Sequence, residues 1–386
     1  MLTTYWRFLH KGCDSVARKQ ISITLHGSRP RHYNEDMTPF LDVAPETFLA
    51  WLAERNQPRM RFRQIRRWLL QGRAESFEHM TDLPNALRAD LAADFVPLGT
   101  TIARHQTASD GTHKLLLRLH DCNVVESVLL QEAGRRTVCI STQVGCGMGC
   151  VFCASGLNGV ARNLTTGEIL EQIIRLQNLL PALERLTHVV VMGMGEPLAN
   201  LDHLLEALEV VCSPEGLGIS ARHITISSVG LPVKIRRLAD SGKQYHLAVS
   251  LHAPNDELRT RIVPTNTGTG LTEILSAADY FFNKTGRQIT YEYVVLRGLN
   301  DAPKHAHELA HLLHGRRAYV NLIPFNDVEG LEFKRPTDES IGAFAGILRA
   351  AGISVKVRKR KGSEIDAACG QLRRREMVQL GTAPAR

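Results

Sequence analysis

Long apolar runs are missing from this chain. No uninterrupted stretch approaches the roughly 18 residues that cross a bilayer as a helix, which excludes a helical membrane span. The opening MLTTYWRFLHKGCDSVARKQ lacks the about 7–15-residue apolar core of a secretory signal. These absences predict a cytoplasmic protein with no membrane partner, in a compartment that keeps thiols reduced. Negative charge is also scarce. The 39 Asp and Glu face 47 Lys and Arg, for a net charge of +8. That excess points to a polyanionic partner, nucleic acid before membrane. With disulfides disfavoured, the eight cysteines imply chemistry for some and plain burial for the others.

What is present falls into blocks. Residues 1–38 mix Arg, His, Ser and Pro without apolar period and read as a poorly ordered extension. Residues 39–98 read as a helical accessory domain, since PETFLAWLAERNQ, MRFRQIRRWLLQG and LPNALRADLAADF repeat apolar residues at three- and four-residue steps. The middle helix sets Arg59, Arg61, Arg63, Arg66 and Arg67 around Phe62, Ile65 and Trp68. Those arginines suit either a solvated face or an RNA backbone. Residues 99–135 turn to short β-like runs. Residues 136–362 alternate apolar runs (HVVVMGMG, HITISS, HLAVSLH, ITYEYVVL, AYVNLIPF, ISVKVRK) with amphipathic helical segments, the pattern of βαβ crossovers. About six or seven such units predict an α/β fold with a partial (β/α) barrel, whose functional residues collect on loops after the strands. Residues 363–386 form a tail holding Cys369.

After the first barrel strand comes STQVGCGMGCVFCASG. Cys146, Cys150 and Cys153 stand as C-x3-C-x2-C, enough thiolates for three irons of a [4Fe–4S] cluster with the fourth iron left open. A structural zinc site would want a fourth protein ligand, and none is obvious nearby. Gly145, Gly147 and Gly149 let the backbone turn tightly. The spacing, with Phe152 before the last cysteine, resembles the radical S-adenosylmethionine (SAM) superfamily. That resemblance implies SAM on the open iron and the methionine ammonium near Gly195 and Glu196 of MGMGEPL. Other strand ends carry Ser227, Ser250, Leu251, His252 and Asn326. Such residues often only cap the next helix, yet four strand ends on one face favour a SAM site.

More of the chain carries a narrower likeness. RNLTTGEILEQI, VVMGMGEPLANLD, AVSLHAPNDELR, VPTN, YVVLRGLND, NLIPFN and GSEIDAACGQL together resemble the RlmN/Cfr family of radical SAM RNA methyltransferases, from about Phe40 to Glu376. The likeness implies methylation of an RNA adenosine at carbon 2, in 23S rRNA and also in tRNA. Carbon-8 methylation or another RNA is the alternative within the family. It implies that Cys369 carries an S-methylcysteine intermediate and forms a protein–RNA adduct. It also implies Glu126 as proton acceptor and Cys139 as the resolving cysteine, forming a transient disulfide with Cys369. A monomer served by an electron donor such as flavodoxin or ferredoxin follows from the same likeness. From the residues alone, Glu126 is a carboxylate inside an apolar strand or an outward edge residue. Cys139 alone reads as a small buried side chain. Cys13, Cys122 and Cys212 match no motif and read as filler. Just after the cluster loop the chain has ASGLNGVARNL, where the family commonly has a Thr and Gln-Gly-Phe.

A rival pattern is KHAHELAHLLHG. His307, Glu308 and His311 form a literal H-E-x-x-H, with His314 beyond, as in zinc hydrolases. The helix lies between the fifth and sixth barrel strands, so its apolar face is expected on the sheet and its histidines away from the strand-end loops. Lys356 to Lys361 and Arg373 to Arg375 are further candidate RNA-backbone contacts, giving affinity rather than sequence choice.

Overall fold

The computed structural model describes residues 37–328 and 330–372; the extension before residue 37 and the basic run Arg373 to Arg375 lie outside them. A short parallel ladder, Thr38–Pro39 against Phe95–Val96, closes the N-terminal domain on itself. Between these ends run α1 (Pro45–Glu54), α2 (Met60–Leu70) and α3 (Asn85–Asp94). Their apolar faces meet in one core around Phe40, Phe48, Leu52, Ile65, Leu69 and Leu91. On α2, Arg59, Arg63 and Arg67 are exposed. Arg67 pairs with Asp82 at 3.2 Å and Arg63 with Glu215 at 3.5 Å.

A single ten-stranded sheet forms the rest of the scaffold. Three antiparallel strands, β1 (Thr101–Thr107), β2 (His113–Arg118) and β3 (Val124–Glu132), lead into β4 (Arg135–Cys139). From β4 the sheet turns parallel through β5 (His188–Val191), β6 (Ile224–Ser228), β7 (His246–Ser250), β8 (Ile289–Val295), β9 (Ala318–Pro324) and β10 (Ser354–Val357). Both edges stay open, so this is a partial barrel. Neighbouring parallel strands are joined by α4 (Thr166–Gln177), α5 (Leu201–Cys212), α6 (Pro232–Asp240), the pair α7 (Asp256–Ile262) and α8 (Leu271–Thr285), α9 (Pro303–Leu312) and α10 (Asp338–Ala350). The sequence pattern anticipates all of these but α7, whose two turns, DELRTRI, are too short to show a period. The first barrel strand ends at Cys139. The following Gln143–Gly145 pairs separately with Val160–Asn163 and brackets the cysteine loop. No helix of the described residues is long and apolar enough to cross a membrane.

Helix α4 is where the two domains meet. Thr165 caps it, its side chain accepting from Glu168 N–H while the Glu168 carboxylate accepts from Thr165 N–H, a reciprocal box written in the sequence as TTGE. Asp42 of the N-terminal domain adds a second acceptor, taking the Gly167 N–H at 2.7 Å. Only glycine fits there, since a Cβ on residue 167 would lie 2.4 Å from Asp42 Oδ1. One turn later Glu171, fully buried, accepts from the backbone N–H groups of Gly99 (2.7 Å) and Thr100 (2.6 Å). Burial outweighs these bonds and pushes its carboxyl up to about 7. Arg73 and Gln177 add bonds across the same seam, to the carbonyls of Leu180 (2.7 Å) and Leu70 (2.9 Å). The arginine-bearing helix is thereby fixed relative to the barrel mouth.

Gly167→Ala and Asp42→Ala should each destabilise the seam by about 1–3 kcal/mol, through overpacking in the first and a lost helix cap in the second. Because both act on one contact, the double variant should lose much less than the sum. Urea unfolding followed by the fluorescence of Trp51 and Trp68 checks this, and additive losses would contradict it.

Candidate active site

The loops that follow the parallel strands crowd one rim of the sheet. The cysteine loop hangs between Gly145, in the left-handed region at φ 81°, and Gly149 at φ 66°. It is pinned from both sides. Cys146 N–H donates to the Gly159 carbonyl (2.9 Å), and Val151 N–H donates to the Ile262 carbonyl at the end of α7 (3.0 Å). Phe152 packs beneath it with Leu258, Ile262 and Val263. Burial pushes the Cys146 thiol up to about 11 and raises Cys150 and Cys153 as well; nearby cysteines add repulsion at Cys146 and Cys150. Such a set is unfavourable as bare thiolates and suits positive irons. Among the described residues no three His, Cys, Asp or Glu side chains meet as ligands of a single ion. Three cysteines spaced C-x3-C-x2-C on one loop are the donor set for three irons of a polynuclear cluster.

The next rim residues share one network. Gly195 sits at φ 101°, and a Cβ there would lie 2.7 Å from the Gln143 side chain. Glu196 is 2% exposed. Its carboxylate accepts from Leu198 N–H (3.0 Å) and Val229 N–H (2.9 Å), and burial raises its pKa. Ser227 Oγ donates to Glu292 Oε2 at 2.9 Å and lies 3.4 Å from Ser250 Oγ. Leu251 is buried, and its carbonyl accepts from Arg259 Nε at 3.1 Å. His252, buried at φ 60°, accepts from Val294 N–H through Nδ1 and meets the Phe152 ring edge-on at 4.7 Å. Burial, helped by the Arg259 charge, lowers its imidazole to about 3, so it is neutral.

Cys369 arrives from the far end of the chain. Asn326 Nδ2 donates to its carbonyl at 3.1 Å. The next residues grip the cysteine loop, with Ala154 N–H donating to Gly370 O (2.8 Å) and Ser155 Oγ to Leu372 O (2.8 Å). Gln371 anchors the turn through its side chain to Asp327 O at 2.8 Å. Burial raises the Cys369 thiol, while the adjacent Arg358 guanidinium, hydrogen-bonded to it, pulls the other way. Cys139 is buried at the end of β4, and desolvation, then the proximity of Cys369, pushes it up to about 12. Both thiols are free.

Glu126 falls on the same face. In β3 it is two residues from Val128, which pairs with Cys139 of β4, so Glu126 and Cys139 project from one side of the sheet. It is 8% exposed, and its Oε1 lies 2.9 Å from Lys114 Nζ. Of the two readings, inside an apolar strand or outward at an edge, the structure has Glu126 buried, and it adds the ion pair with Lys114.

Four groups escape sequence reasoning: Lys114, Arg259, Glu292 and Arg358. Arg259 is 1% exposed and gathers the carbonyls of Val229, Ser250 (3.2 Å) and Leu251 beside the cysteine loop. Its only sequence signal is its place in DELR. Glu292 could have been found as the one acid in the strand ITYEYVVL. Arg358 belongs to the basic run assigned to RNA, but faces Cys369, whereas Lys356, Lys359 and Arg360 are exposed.

The H-E-x-x-H helix, α9, turns Ala306, Leu309 and Ala310 inward and leaves His307, Glu308, His311 and His314 exposed on the outside of the barrel. Glu308 Oε2 accepts from Asn255 Nδ2 at 2.7 Å.

With this geometry in place, comparison with known proteins is direct. Residues 140–310 match the radical SAM superfamily, and residues 38–96 match the ribosomal RNA large subunit methyltransferase N-terminal domain. A Rhodopirellula baltica protein named probable dual-specificity RNA methyltransferase RlmN is 57% identical over 84% of this chain and 87% of its own length. A Bacillus licheniformis protein of the same name is 42% identical over 93% of this chain and 98% of its own. The crystal structure of a radical SAM methyltransferase from Sphaerobacter thermophilus superposes with a TM-score of 0.84 at 43% identity, covering 88% of this chain and 99% of that one.

Replacing Cys146, Cys150 or Cys153 by Ala should remove most bound iron and the broad visible absorbance of the purified protein. Replacing His307 and His311 together should change neither iron content nor stability by more than about 0.5 kcal/mol, as for exposed sites. Metal analysis and thermal unfolding measure both, and zinc in place of iron would overturn the cluster assignment.

Proposed function

The chain belongs to the RlmN family of radical SAM RNA methyltransferases, and from that premise we propose that it methylates carbon 2 of an adenosine in 23S rRNA and in tRNA through Cys369. The observation that carries this reading is the approach of Cys369 to Cys139, on the face of the sheet that also carries Glu126, although the two cysteines lie at opposite ends of the barrel sequence. The relatives' name, dual-specificity RNA methyltransferase, supports two RNA substrates. Known members use a [4Fe–4S] cluster and SAM.

Cys146, Cys150 and Cys153 would hold the cluster. Glu196, the backbone at Gly195, Ser227, Ser250, the Leu251–His252 backbone and Asn326 would surround SAM. When bound, these groups supply a methyl cation equivalent and, after one-electron reduction by flavodoxin or ferredoxin, a hydrogen-abstracting radical. The protein's own side chains do the remainder. Cys369 Sγ takes the methyl group, with the Arg358 guanidinium favouring its thiolate. After loss of one hydrogen atom the S-methylene carbon bonds to the adenine ring carbon, which is too electron-poor to attack a methyl donor itself. The electron given up by the adduct would return to the bound cluster, and the proton on the attacked carbon passes to Glu126. Cys139 Sγ then bonds to Cys369 Sγ, breaking the sulfur–carbon bond, and the released carbon picks up a proton to become the methyl group. The base must leave its stack to reach this rim. Exposed arginines of α2 and the exposed lysines after β10 would hold the phosphates.

Cys369→Ala should abolish RNA methylation while retaining iron. Cys139→Ala should leave RNA covalently attached to the protein, visible as a shifted band on a denaturing gel. Nucleoside mass spectrometry of ribosomal and transfer RNA, with and without the gene, tests the substrate: 2-methyladenosine that disappears on deletion supports the reading, and 8-methyladenosine or undiminished 2-methyladenosine overturns it.

A further inference from the structure

Lysine is among the residues least often buried, because its ammonium must be taken out of water. Lys114 is 7% exposed, on β2, the second strand from the open edge of the sheet. It pairs in register with Val128 of β3, which pairs with Cys139 of β4. Lys114, Val128 and Cys139 therefore form one row across the sheet, with Glu126 next to it on the same face. The Lys114 ammonium has two recorded partners. One is Glu126 Oε1 at 2.9 Å. The other is the carbonyl oxygen of Asp366, three residues before Cys369, at 3.4 Å.

The second contact is built by a shaped segment. Asp366 adopts φ 50°, a left-handed conformation that non-glycine residues adopt at a cost of about 1–3 kcal/mol. Gly362, at φ 60°, accepts from Ala367 N–H at 2.9 Å and closes the turn around it. Gly362 N–H donates to Asp110 Oδ2 at 3.0 Å, and Glu364 accepts from Ser109 N–H and Oγ at 3.0 and 2.6 Å. The β1–β2 turn and Lys114 thus hold the cysteine-bearing segment from one side, while Asn326, Ala154 and Ser155 hold it from the other.

We propose that Lys114 is a positioning residue for methyl transfer, coupling the carboxylate of Glu126 to the segment that carries Cys369 so that base and methyl carrier meet the same ring carbon. This rests on the roles given above to Cys369 and Glu126. In the step concerned, the carbon–hydrogen bond of the attacked carbon breaks, the proton moves to Glu126, and the electron pair stays in the ring. Lys114 neither gives nor receives a proton. Its ammonium holds the Glu126 carboxylate in place at 2.9 Å, and its bond to Asp366 keeps Cys369 from drifting while the covalent adduct waits for deprotonation.

The test compares Lys114→Met, Lys114→Arg, Glu126→Gln and the double variant Lys114→Met/Glu126→Gln, each with its cluster, on ribosomal RNA from cells lacking the gene. Lys114→Met should retain iron and the Cys369 methyl group seen by intact mass, lose product about 100-fold or more, as for a disabled general base, and accumulate the covalent RNA adduct. Lys114→Arg should recover most of the product and clear the adduct. Product formation by Lys114→Met within threefold of the parent, or a loss confined to the first methylation of Cys369, overturns the proposal. If Lys114→Met does not fold because Glu126 is left buried without its partner, the double variant removes that unpaired charge. Its Cys369 should then react with iodoacetamide several-fold faster than in Glu126→Gln alone, and equal rates overturn the proposal. Normal product from Glu126→Gln would instead sink the assignment of Glu126 as base, a failure distinct from that of Lys114.

Discussion

A segment with no more than one 3-10 turn, Ser363–Ile365, cannot satisfy its own backbone, and that constraint fixes the geometry of the barrel mouth. Residues 362–372 carry Cys369 across the open face of the sheet, and nearly every buried peptide group needs a partner. Those partners come from distant places. Asn326 and Asp327 serve at the strand ends, Ala154 and Ser155 follow the cysteine loop, and Ser109, Asp110 and Lys114 belong to the β1–β2 hairpin. The same bonds that spare the segment from unsatisfied carbonyls bring a thiol to the cluster loop and to Cys139. Holding the chain and placing the nucleophile are one arrangement.

The antiparallel β1–β3 extension gains a purpose from this. Without it the parallel sheet would end at β4, and Cys139 would lie on an edge. By adding three strands the chain supplies the Glu126 and Lys114 row and the turn that grips residues 362–366. The N-terminal domain docks elsewhere, on helix α4 through Asp42 and Gln177 and on the turn after α5 through Gln71. The strand that precedes α4 also carries Arg162, bidentate to Glu168 at 2.7 Å, behind the cysteine loop.

Much of this was legible in the sequence because its signals are local. Strand–helix alternation needs only a period, the capping box spans four residues, and C-x3-C-x2-C spans eight. The tail of small residues around Cys369 reads as room for motion, and the resemblance supplies its role. What stayed hidden depends on partners far apart in the chain: Lys114 and Asp366 are separated by 252 positions. Arg358 belongs to a charge run that looks uniform in sequence, although just past β10 its N–H pairs with the Leu322 carbonyl at 2.8 Å and its side chain faces Cys369, while Lys356, Lys359 and Arg360 are exposed. The H-E-x-x-H pattern errs the other way. Its spacing is locally perfect for a metal, but the apolar half of the same helix commits its histidines to the outside.

Buried cations complete the logic of the site. Lys114, Arg259 and Arg358 stand beside the Glu126 carboxylate, the cysteine loop and the Cys369 thiol, respectively. Desolvation makes each of them costly alone. Arg259 offsets that cost through backbone carbonyls and Asn266, bonded at 2.7 Å, and even so its guanidinium is lowered to about 10 by burial. Hydrophobic replacements would often stabilise such positions, so these cations are a poor means of stabilising the fold. The three cations sit on different elements, Lys114 on β2, Arg259 on α7 and Arg358 just after β10. On the proposed mechanism, negative charge building at three points would be met without the rim rearranging at every step.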